Sequence, residues 1–348
     1  MNACSLTTRF EASHGSVFQY WVERENSMAE QVIVICGEEV AAYGFPDNHP
    51  FGPDRHDAFM AELERSPRIG AVIKQRARLA DRGEIEYFHT SDYVDLVIEL
   101  SQQGYGALDH GDTPAYPGVY EAAAHVVGGT LDALAAIMDG PHRKAFVPIG
   151  GLHHAARGGA AGFCVFNDAG VAIEAAMRNY GLERVAYLDI DAHHGDGVFY
   201  GFEEDPRALF ADIHEDGRYL YPGTGSRSET GRGPAAGTKL NIPMAPGSGD
   251  AQFMDAWAEV EAYVESHEPQ LITLNCGADS LAGDPITHMQ YSEDAHGHAA
   301  VRVAALAERY CGGRVLAWGC GGYNRHNLAR AWTRVVEGLA DPEAARRD

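Results

Sequence analysis

Residues 184–197 read RVAYLDIDAHHGDG, an apolar run that ends abruptly in three aspartates and two histidines. Asp189, Asp191 and His193 alternate along the chain, so an extended backbone directs all three side chains to the same side. Carboxylate oxygens and imidazole nitrogens are ligands of divalent metals of the zinc type. Because neighbouring buried carboxylates are costly unless a cation compensates them, this stretch predicts a metal site at the end of a buried strand.

The composition and charge of the chain limit which class of protein it can be and which partners it can bind. The chain has 348 residues, 45% of them hydrophobic, and 40 glycines, which suits a loop-rich globular enzyme with a substantial core. The formal net charge of −23 leaves no basic stripe to neutralise phosphates and argues against a nucleic-acid partner. An acidic exterior attracts cationic substrates such as lysine-rich peptides or polyamines, although the same charge also serves solubility alone.

Cysteine usage and the lack of long apolar runs indicate a cytoplasmic protein with no membrane partner. The six cysteines are scattered without a Cys-x-x-Cys pair, which favours a reducing compartment. No apolar run reaches the roughly 20 residues that span a bilayer, and the polar opening segment lacks the apolar core of a signal peptide. We expect residues 1–30 to form an N-terminal extension of unknown role, residues 31–342 one catalytic domain and residues 343–348 a short tail. No feature of the chain indicates an oligomeric state.

Apolar runs alternate with stretches of helical period, which predicts an α/β fold: a single domain with a mostly parallel central sheet and helices on both faces. The predicted strands span residues 32–36, 145–149, 185–190, 208–213, 271–275 and 315–318. The predicted helices span residues 119–138, 167–179, 251–265, 294–310 and 327–339. In such a sheet the ligand site lies beyond the carboxyl ends of the strands.

Four of the predicted strands are followed directly by segments that contain histidine, aspartate or tyrosine. GGLHH (150–154), NCGAD (275–279) and GCGGYN (319–324) follow three of them, and residues 189–197 follow the fourth. Together they deliver histidine, aspartate and tyrosine to one rim, with glycine-rich turns that let the backbone approach a ligand closely. Residues 223–237 contain five glycines and no apolar period, which predicts a surface loop bordering this rim.

Asp191, His193 and Asp279 are candidates for a catalytic metal centre. Three protein ligands leave an open position for water, whereas a structural zinc site is closed, usually by cysteines. We expect no cysteine near this cluster. Metal-activated water attacks carbonyl groups near neutral pH, so the predicted chemistry is hydrolysis.

Other residues at the rim suit the remaining roles in such a reaction. His153 and His154 are suited to supply a base and its electrostatic partner. Asp189 and Asp196 are suited to accept imidazole N–H groups and so fix the ring tautomers. Tyr323, on a glycine turn, is suited to donate its hydroxyl to a developing oxyanion. A serine nucleophile is not indicated, because no Gly-x-Ser-x-Gly segment links a strand to a helix.

The ordered segments resemble the zinc-dependent histone deacetylase superfamily, which includes acetoin-utilisation proteins and acetylpolyamine amidohydrolases. The matching segments are GGLHHA (150–155), GFCVFND (162–168), DIDAHHGDG (189–197), YPGTG (221–225), GADSLAGDP (277–285) and GCGGYN (319–324), with weaker matches at HPFGPDR (49–55) and GDTP (111–114). They cover residues 30–340 in family order, and the resemblance implies an arginase/deacetylase-like fold. The Gly-Gly pair before the histidines points to the class I or acetoin-utilisation side.

Carried over by position, the resemblance implies a role for each site residue. His154 is the implied general base, oriented by Asp196, and His153, bonded to Asp189, is its electrostatic partner. Tyr323 corresponds to the oxyanion-stabilising tyrosine. The implied zinc ligands are Asp191, His193 and Asp279. The implied substrate contacts are Asp112 at the rim, Phe163 and Tyr221 as tunnel walls, Gly162, Gly321 and Ile286, and Arg55 at the internal end of the tunnel.

A potassium ion is also implied, and here the chain departs from the family. The implied potassium ligands are Asp189, Asp191, His193, Asp212 and Ile213, mostly through backbone oxygens. Asp212 stands where the family usually has serine, which adds a carboxylate to the implied coordination of the ion. Tyr221 stands where phenylalanine is usual, so this tunnel wall is more polar.

The predicted function is a zinc-dependent hydrolase that removes an acyl group, foremost acetyl, from an amine such as acetyl-lysine in a peptide or protein. An amidohydrolase acting on acetylpolyamines or other small acylated amines is the alternative within the same chemistry. A binuclear manganese hydrolase of the arginase type needs a second aspartate two residues after Asp279, where Leu281 stands. A non-catalytic module for an acylated ligand is the alternative of another class, and it needs neither Tyr323 nor the histidine pair.

Overall fold

The computed structural model describes residues 31–341, so the predicted extension at residues 1–30 and tail at residues 343–348 lie outside the described residues. The strands are β1 (Val32–Cys36), β2 (Val72–Arg76), β3 (Gly106–Ala107), β4 (Pro114–Ala115), β5 (Lys144–Val147), β6 (Val185–Asp189), β7 (Ala208–Glu215), β8 (Lys239–Met244), β9 (Leu271–Asn275) and β10 (Val315–Trp318). The α-helices are α1 (Glu38–Ala41), α2 (Asp54–Leu63), α3 (Arg82–Ile85), α4 (Ser91–Gln103), α5 (Val119–Met138), α6 (Asp168–Tyr180), α7 (Asp196–Gly201), α8 (Asp250–His267), α9 (Glu293–Tyr310) and α10 (Arg325–Ala340).

Within residues 31–341, eight strands form one parallel sheet in the order β2-β1-β5-β10-β9-β6-β7-β8. Helices cover both faces. Trp318 of β10 donates its indole N–H to Thr130 of α5 at 3.1 Å, whereas the Phe146 ring of β5 lies 6.4 Å from Trp332 of α10. Since Phe146 is paired with Ala317, the residue before Trp318, the two side chains point to opposite faces. The predicted single-domain α/β fold is confirmed.

The structure contains every strand and helix predicted from the sequence, with ends that differ by two residues or fewer. The prediction missed four strands: β3 and β4, which form a separate two-stranded sheet, and β2 and β8, which form the two edges of the main sheet. Only central strands are buried on both faces and read as apolar runs. The edge strand β2 is partly exposed and carries Lys74 and Arg76, and β8 contains Lys239 and Pro243.

The strand order brings the four candidate segments together. β5, β10, β9 and β6 are successive neighbours in the sheet and run in parallel, so their carboxyl ends lie along one stretch of a single edge. The segment 223–237, between β7 and β8, is confirmed as a loop that contains one short 3₁₀ turn, Gly233–Ala235. It borders this edge, because the Gly225 carbonyl lies 3.0 Å from Nε2 of His214 on β7.

Two further observations concern the environment of the protein. None of the helices in residues 31–341 has the length and apolar character needed to cross a lipid bilayer. The five cysteines in the same residues are all free thiols. The cytoplasmic location inferred from the sequence stays a prediction.

Candidate metal centre and active site

Asp191, His193 and Asp279 converge on one buried point at the carboxyl edge of the sheet. Asp191 and His193 lie in the loop after β6, and Asp279 lies in the 3₁₀ turn Ala278–Ser280 after β9. One ligand atom from each lies within 4.8 Å of the others. Nδ1 of His193 is 3.1 Å from Asp191 Oδ1 and 3.0 Å from Asp279 Oδ2, and this nitrogen has one proton at most for two carboxylates. A divalent cation satisfies all three donors at once.

The backbone around the three side chains leaves room at this point. Gly321 donates its N–H to Asp191 Oδ2 at 3.0 Å, and Ala192 donates to Asp279 Oδ1 at 3.0 Å. A Cβ atom added at Gly321 would lie 2.2 Å from Asp279 Oδ2 and 2.5 Å from Asp191 Oδ2. Only glycine at position 321 leaves the space between the carboxylates open. The two oxygen donors, one nitrogen donor and this open space fit an ion of the zinc type.

Electrostatics within the cluster also favour a cation. Burial, together with the neighbouring Asp191 carboxylate, raises the pKa of Asp279 to about 7. Burial acts in the same direction on Asp191, but His153 and His193 outweigh it and hold the pKa of Asp191 below its usual range. Two like charges this close cannot both ionise cheaply in a buried site. Without a cation, the pair therefore binds a proton as the pH falls below about 7.

A cysteine lies nearer to this cluster than the sequence suggested. Sγ of Cys320 lies within 4.8 Å of a ligand atom of His153 and of Asp191. The expectation that no cysteine lies near the cluster is therefore wrong. Cys320 follows β10 with a positive φ of 55°, a conformation uncommon outside glycine, and this turn directs it toward the neighbouring strand ends. Cys320 and Asp191 are far apart in the sequence, and their proximity depends on the order of the strands in the sheet, which the sequence does not give.

The histidine pair is anchored by two carboxylates. Nδ1 of His153 lies 2.8 Å from Asp189 Oδ2, and Nδ1 of His154 lies 2.6 Å from Asp196 Oδ1. The two Nε2 atoms lie 3.1 Å from each other. Each carboxylate fixes the proton on the near side of its ring, so the Nε2 atoms are left for chemistry.

The two histidines have opposite pKa shifts. Burial lowers the pKa of both rings, but for His153 the carboxylates of Asp189 and Asp191 outweigh burial and raise the pKa to about 9. For His154, burial and the positive charge of His153 lower the pKa, and Asp196 opposes them only in part. At neutral pH the pair consists of a charged His153 and a neutral His154, which is the arrangement of an acid beside a base.

Two residues that the sequence reasoning missed hold Asp189 in place. The Tyr187 hydroxyl donates to Asp189 Oδ2 at 2.6 Å, and Asn275 Nδ2 lies 3.1 Å from the same oxygen. Tyr187 is two residues before Asp189 on β6 and shares its face, so alternation alone could have indicated it. Asn275 is paired with Asp189 in the register of β9 and β6, which requires knowledge of the strand order.

Three aromatic rings, those of Phe163, Tyr221 and Tyr323, lie beside the predicted approach to the cluster. The Phe163 ring lies 5.8 Å from the Tyr323 ring, and the Tyr221 ring lies 5.2 Å from the His154 ring. Phe163 has a φ of 67°, and both of its backbone polar groups are hydrogen-bonded. Thr113 Oγ1 accepts its N–H at 3.0 Å, and the Tyr43 hydroxyl donates to its carbonyl at 2.7 Å. The Tyr221 residue is 46% exposed, so it lies at the outer end.

Asp112 lies on an exposed loop at the outer end of this approach. Asp109 braces the loop, since its Oδ1 accepts the N–H groups of Gly111, Asp112 and Thr113 at 2.9, 3.1 and 2.9 Å. Partial burial and the neighbouring Asp109 carboxylate raise the pKa of Asp112 to about 6. His49, which the sequence reasoning did not single out, links the loop to the aromatic wall: its Nε2 is 3.1 Å from the Asp112 carbonyl and its ring is 4.5 Å from that of Phe163.

Arg55 lies on the inner side of Tyr323 and is completely buried. Its Nε donates to the Gly322 carbonyl at 2.9 Å, a second nitrogen donates to the Cys320 carbonyl, and its guanidinium carbon is 3.9 Å from the centre of the Phe51 ring. These contacts fix the glycine turn that carries Tyr323. Among the described residues, Nη1 of Arg55 has no hydrogen-bond partner.

The two remaining substrate-contact candidates are Gly162, which lies against His154, and Ile286, which is linked to Tyr323 through Asp284. A Cβ added at Gly162 would lie 2.5 Å from Cδ2 of His154, so this glycine lets the histidine approach the wall. Ile286 is half-buried, and its N–H donates to Asp284 Oδ1 at 3.1 Å. Asp284 was not predicted; its Oδ2 accepts the N–H of Tyr323 at 2.8 Å and thereby ties the Ile286 loop to the tyrosine.

Two of the implied potassium ligands lie on β7, the strand next to β6. Asp212 is paired with Asp189 in the register of β6 and β7, and Ile213 is the next residue on β7. Asp212 accepts the Gly195 N–H at 2.9 Å and lies 2.8 Å from Nδ1 of His214. Potassium stays a prediction for this chain.

The fold and the site define an α/β protein of arginase/deacetylase architecture with a candidate metal centre at the carboxyl edge of its sheet. The chain belongs to the histone deacetylase domain family, whose family model matches residues 49–339. This membership supports a hydrolase of the deacetylase type.

Relatives of this chain match along most of its length. It is 37% identical over 316 residues to acetoin utilization protein AcuC of Bacillus subtilis, which covers 87% of this chain and 80% of the relative. It is 32% identical over 327 residues to the AcuC protein of Staphylococcus xylosus, with coverage of 90% and 84%. The crystal structure of the HDA15 HD domain superposes with a TM-score of 0.82 at 28% identity and covers 90% of this chain and 88% of that one.

Proposed function

We propose that this protein is a zinc-dependent deacylase that hydrolyses the amide of an acylated amine, with an acetyl-lysine peptide as the first substrate to test. One observation carries the proposal: two histidines of opposite pKa shift lie directly beside the Asp–His–Asp cluster. Nε2 of His153 is 3.9 Å from Asp191 Oδ1, and the His154 ring is 5.7 Å from the His193 ring. A pure binding module needs no such pair of acid and base.

Asp191, His193 and Asp279 would hold the zinc ion in this proposal. When bound, zinc supplies Lewis acidity, which polarises an amide carbonyl and lowers the pKa of water at the site. The His154 imidazole takes the proton of the attacking water at Nε2, because burial keeps this ring neutral and Asp196 holds its other nitrogen. The charged His153 stabilises negative charge that develops beside it, and the proton that His154 has taken from water passes from the histidine pair to the departing amine.

Tyr323 stabilises the oxyanion in the proposed reaction. Burial and the nearby carboxylates of Asp279 and Asp191 raise the pKa of Tyr323 well above its usual value. The hydroxyl therefore stays protonated at neutral pH and is available as a donor. A donor placed beforehand at a developing oxyanion strengthens in the transition state more than in the ground state, which is the condition for an effect on rate.

The approach to the cluster suits a slender chain that ends in an amide. Phe163 and Tyr221 form its walls, and the Asp112 carboxylate at the rim is suited to accept N–H groups of a substrate backbone or amine. The net charge of −23 favours a substrate that carries positive charge, either on the amine that leaves or on the groups next to it. Both acetyl-lysine peptides and acetylated polyamines meet these conditions, so they form the two arms of the test.

The test is a side-by-side assay of the zinc-loaded protein with a fluorogenic acetyl-lysine peptide, the same peptide with longer acyl groups, and an acetylated diamine. We expect acetyl-lysine turnover that a zinc chelator abolishes and added zinc restores, and no turnover by His154→Ala. Melting shifts with these ligands but without product would replace the proposal with the binding module. Two manganese ions per chain in metal analysis would favour the arginase-type reaction.

Asp196→Asn is expected to move the acid limb of the pH profile of kcat/KM to lower pH. His154 acts as a base only when neutral, and the Asp196 charge raises its pKa, so removal of that charge lowers the pKa further. The maximal rate should fall about 10–100-fold, because the neutral amide orients the ring less firmly. The pH dependence of kcat/KM for the peptide substrate measures both effects.

Asp205→Asn is the matched control, because Asp205 binds Arg207 at 2.6 Å outside the cluster. It should leave the profile in place. An acid limb of Asp196→Asn that moves to higher pH, or stays where it is, would remove His154 from the role of base.

A further inference from the structure

A second pair of buried charges lies behind the histidine pair, on the adjoining strand β7. Asp212 and His214 are both completely buried. Asp212 stands opposite Asp189 in the strand register, and the two carboxylates face the same point: a Cβ added at Gly195 would lie 2.9 Å from Asp189 Oδ2 and 3.6 Å from Asp212 Oδ2. Two buried acids on neighbouring strands require positive charge close by.

Hydrogen-bond geometry indicates where the positive charge for Asp212 comes from. Nε2 of His214 lies 3.0 Å from the Gly225 carbonyl, which only accepts, so this nitrogen carries a hydrogen. Nδ1 of the same ring lies 2.8 Å from Asp212 Oδ1, and it also carries a hydrogen when the carboxylate is ionised. A ring with both hydrogens is an imidazolium ion. Asp212 and His214 thus form a neutral unit built entirely from the chain.

The implied potassium site fits this arrangement poorly. The resemblance requires a side-chain oxygen at position 212 that is free to face an ion, as a serine hydroxyl is. Here one carboxylate oxygen of Asp212 faces the His214 ring, and the other accepts the Gly195 N–H at 2.9 Å. Each oxygen of Asp212 thus has a donor within the chain, and the positive charge of the His214 ring repels a second cation at the same carboxylate.

We propose that the Asp212–His214 ion pair replaces the monovalent cation in this protein, so that the fold binds no potassium beside Asp189 and needs none for stability. His214 compensates Asp212, and Asp189 has His153, Tyr187 and Asn275 as partners at 2.6–3.1 Å, so each of these two buried carboxylates is satisfied within the chain at any salt composition. This proposal does not rest on the deacylase function, since it concerns ion binding and folding alone.

Wild-type protein and Asp212→Ser, both zinc-loaded, provide the test through two measurements without turnover. The first is thermal unfolding in KCl and in choline chloride at equal ionic strength, and the second is equilibrium dialysis with ⁸⁶Rb⁺ as a probe for potassium. For the wild type we expect equal Tm values in both salts. For Asp212→Ser we expect one additional Rb⁺ per chain and a Tm that KCl raises on the order of 5 °C over choline chloride.

Asp216→Ser is the control, because Asp216 follows β7 directly but binds the exposed Arg218 at 2.5 Å. It should behave as the wild type does. A wild-type Tm that rises saturably with KCl would overturn the proposal, and this measurement stands even if Asp212→Ser fails to fold. Loss of a bound Rb⁺ in Asp212→Ser would overturn it as well, since Asp212 would then be a ligand of the ion. Equal Rb⁺ binding by the two proteins would also overturn it.

Discussion

Tyr323→Phe is expected to lower kcat of the deacylation by about 10²–10³-fold while KM changes little. The substitution removes one hydroxyl, whose proposed partner is the oxyanion that exists only in the transition state and the tetrahedral intermediate, and loss of one such donor costs about this factor. The ring itself stays, with its contacts to Phe163 at 5.8 Å and Phe51 at 6.5 Å, so the approach keeps its shape. Steady-state kinetics with the acetyl-lysine peptide separate kcat from KM.

Tyr180→Phe is the matched control, because it removes a hydroxyl that donates to Asp139 at 2.8 Å at the end of α6. It should have the kinetics of the wild type. If Tyr323→Phe raised KM and left kcat unchanged, the hydroxyl would bind the substrate in its ground state instead of the oxyanion, and the tyrosine would lose its proposed role in catalysis.

The convergence of Asp191 and Asp279 was predictable although nearly ninety residues separate them. Both follow apolar runs that predict central strands, and the carboxyl ends of parallel strands lie on one edge. The contacts among the site residues were harder to predict from the sequence. Asn275 binds Asp189 because β9 lies next to β6, and Cys320 lies near Asp191 because only β9 separates β10 from β6. Alternation of strands and helices indicates a parallel sheet without giving its strand order.

The edges of the sheet were hidden from the sequence for a different reason. β2 and β8 each have one neighbour and carry lysine within the strand, so they lack the apolar run that marks a strand buried on both faces. The roles of single loop residues could not be predicted from the sequence either. His49 and Asp284 act through the Asp112 carbonyl and the Tyr323 N–H, and such contacts to backbone atoms leave no periodic pattern in the sequence.

Asp279→Asn is expected to remove the bound metal and to lower the activity at least about 10³-fold. With its one oxygen on the Ala192 N–H, asparagine places an NH₂ group, which binds no cation, where Asp279 Oδ2 faces the metal, and loss of Lewis acidity costs several kcal/mol of transition-state stabilisation. The fold should persist, because Oδ1 still accepts the Ala192 N–H, which is 3.0 Å away. Metal content by mass spectrometry and turnover of the acetyl-lysine peptide measure the two losses.

The same variant separates the stabilising effect of the metal from that of the protein. In the wild type, a zinc excess of a hundredfold over Kd adds about 2.7 kcal/mol to the free energy of unfolding, so a chelator should lower the Tm. In Asp279→Asn the chelator should have no effect on the Tm, whereas Asp95→Asn, which alters an exposed aspartate bound to Arg82, should respond as the wild type does. A wild-type Tm that is insensitive to the chelator, at full loss of metal, would mean that the buried Asp191 and Asp279 carboxylates are compensated by a shared proton alone. The raised pKa of Asp279, about 7, makes that state accessible below neutral pH, so the chelator experiment is made at pH 8, where both carboxylates ionise and only His193, whose pKa the two carboxylates raise, stands between them without the ion.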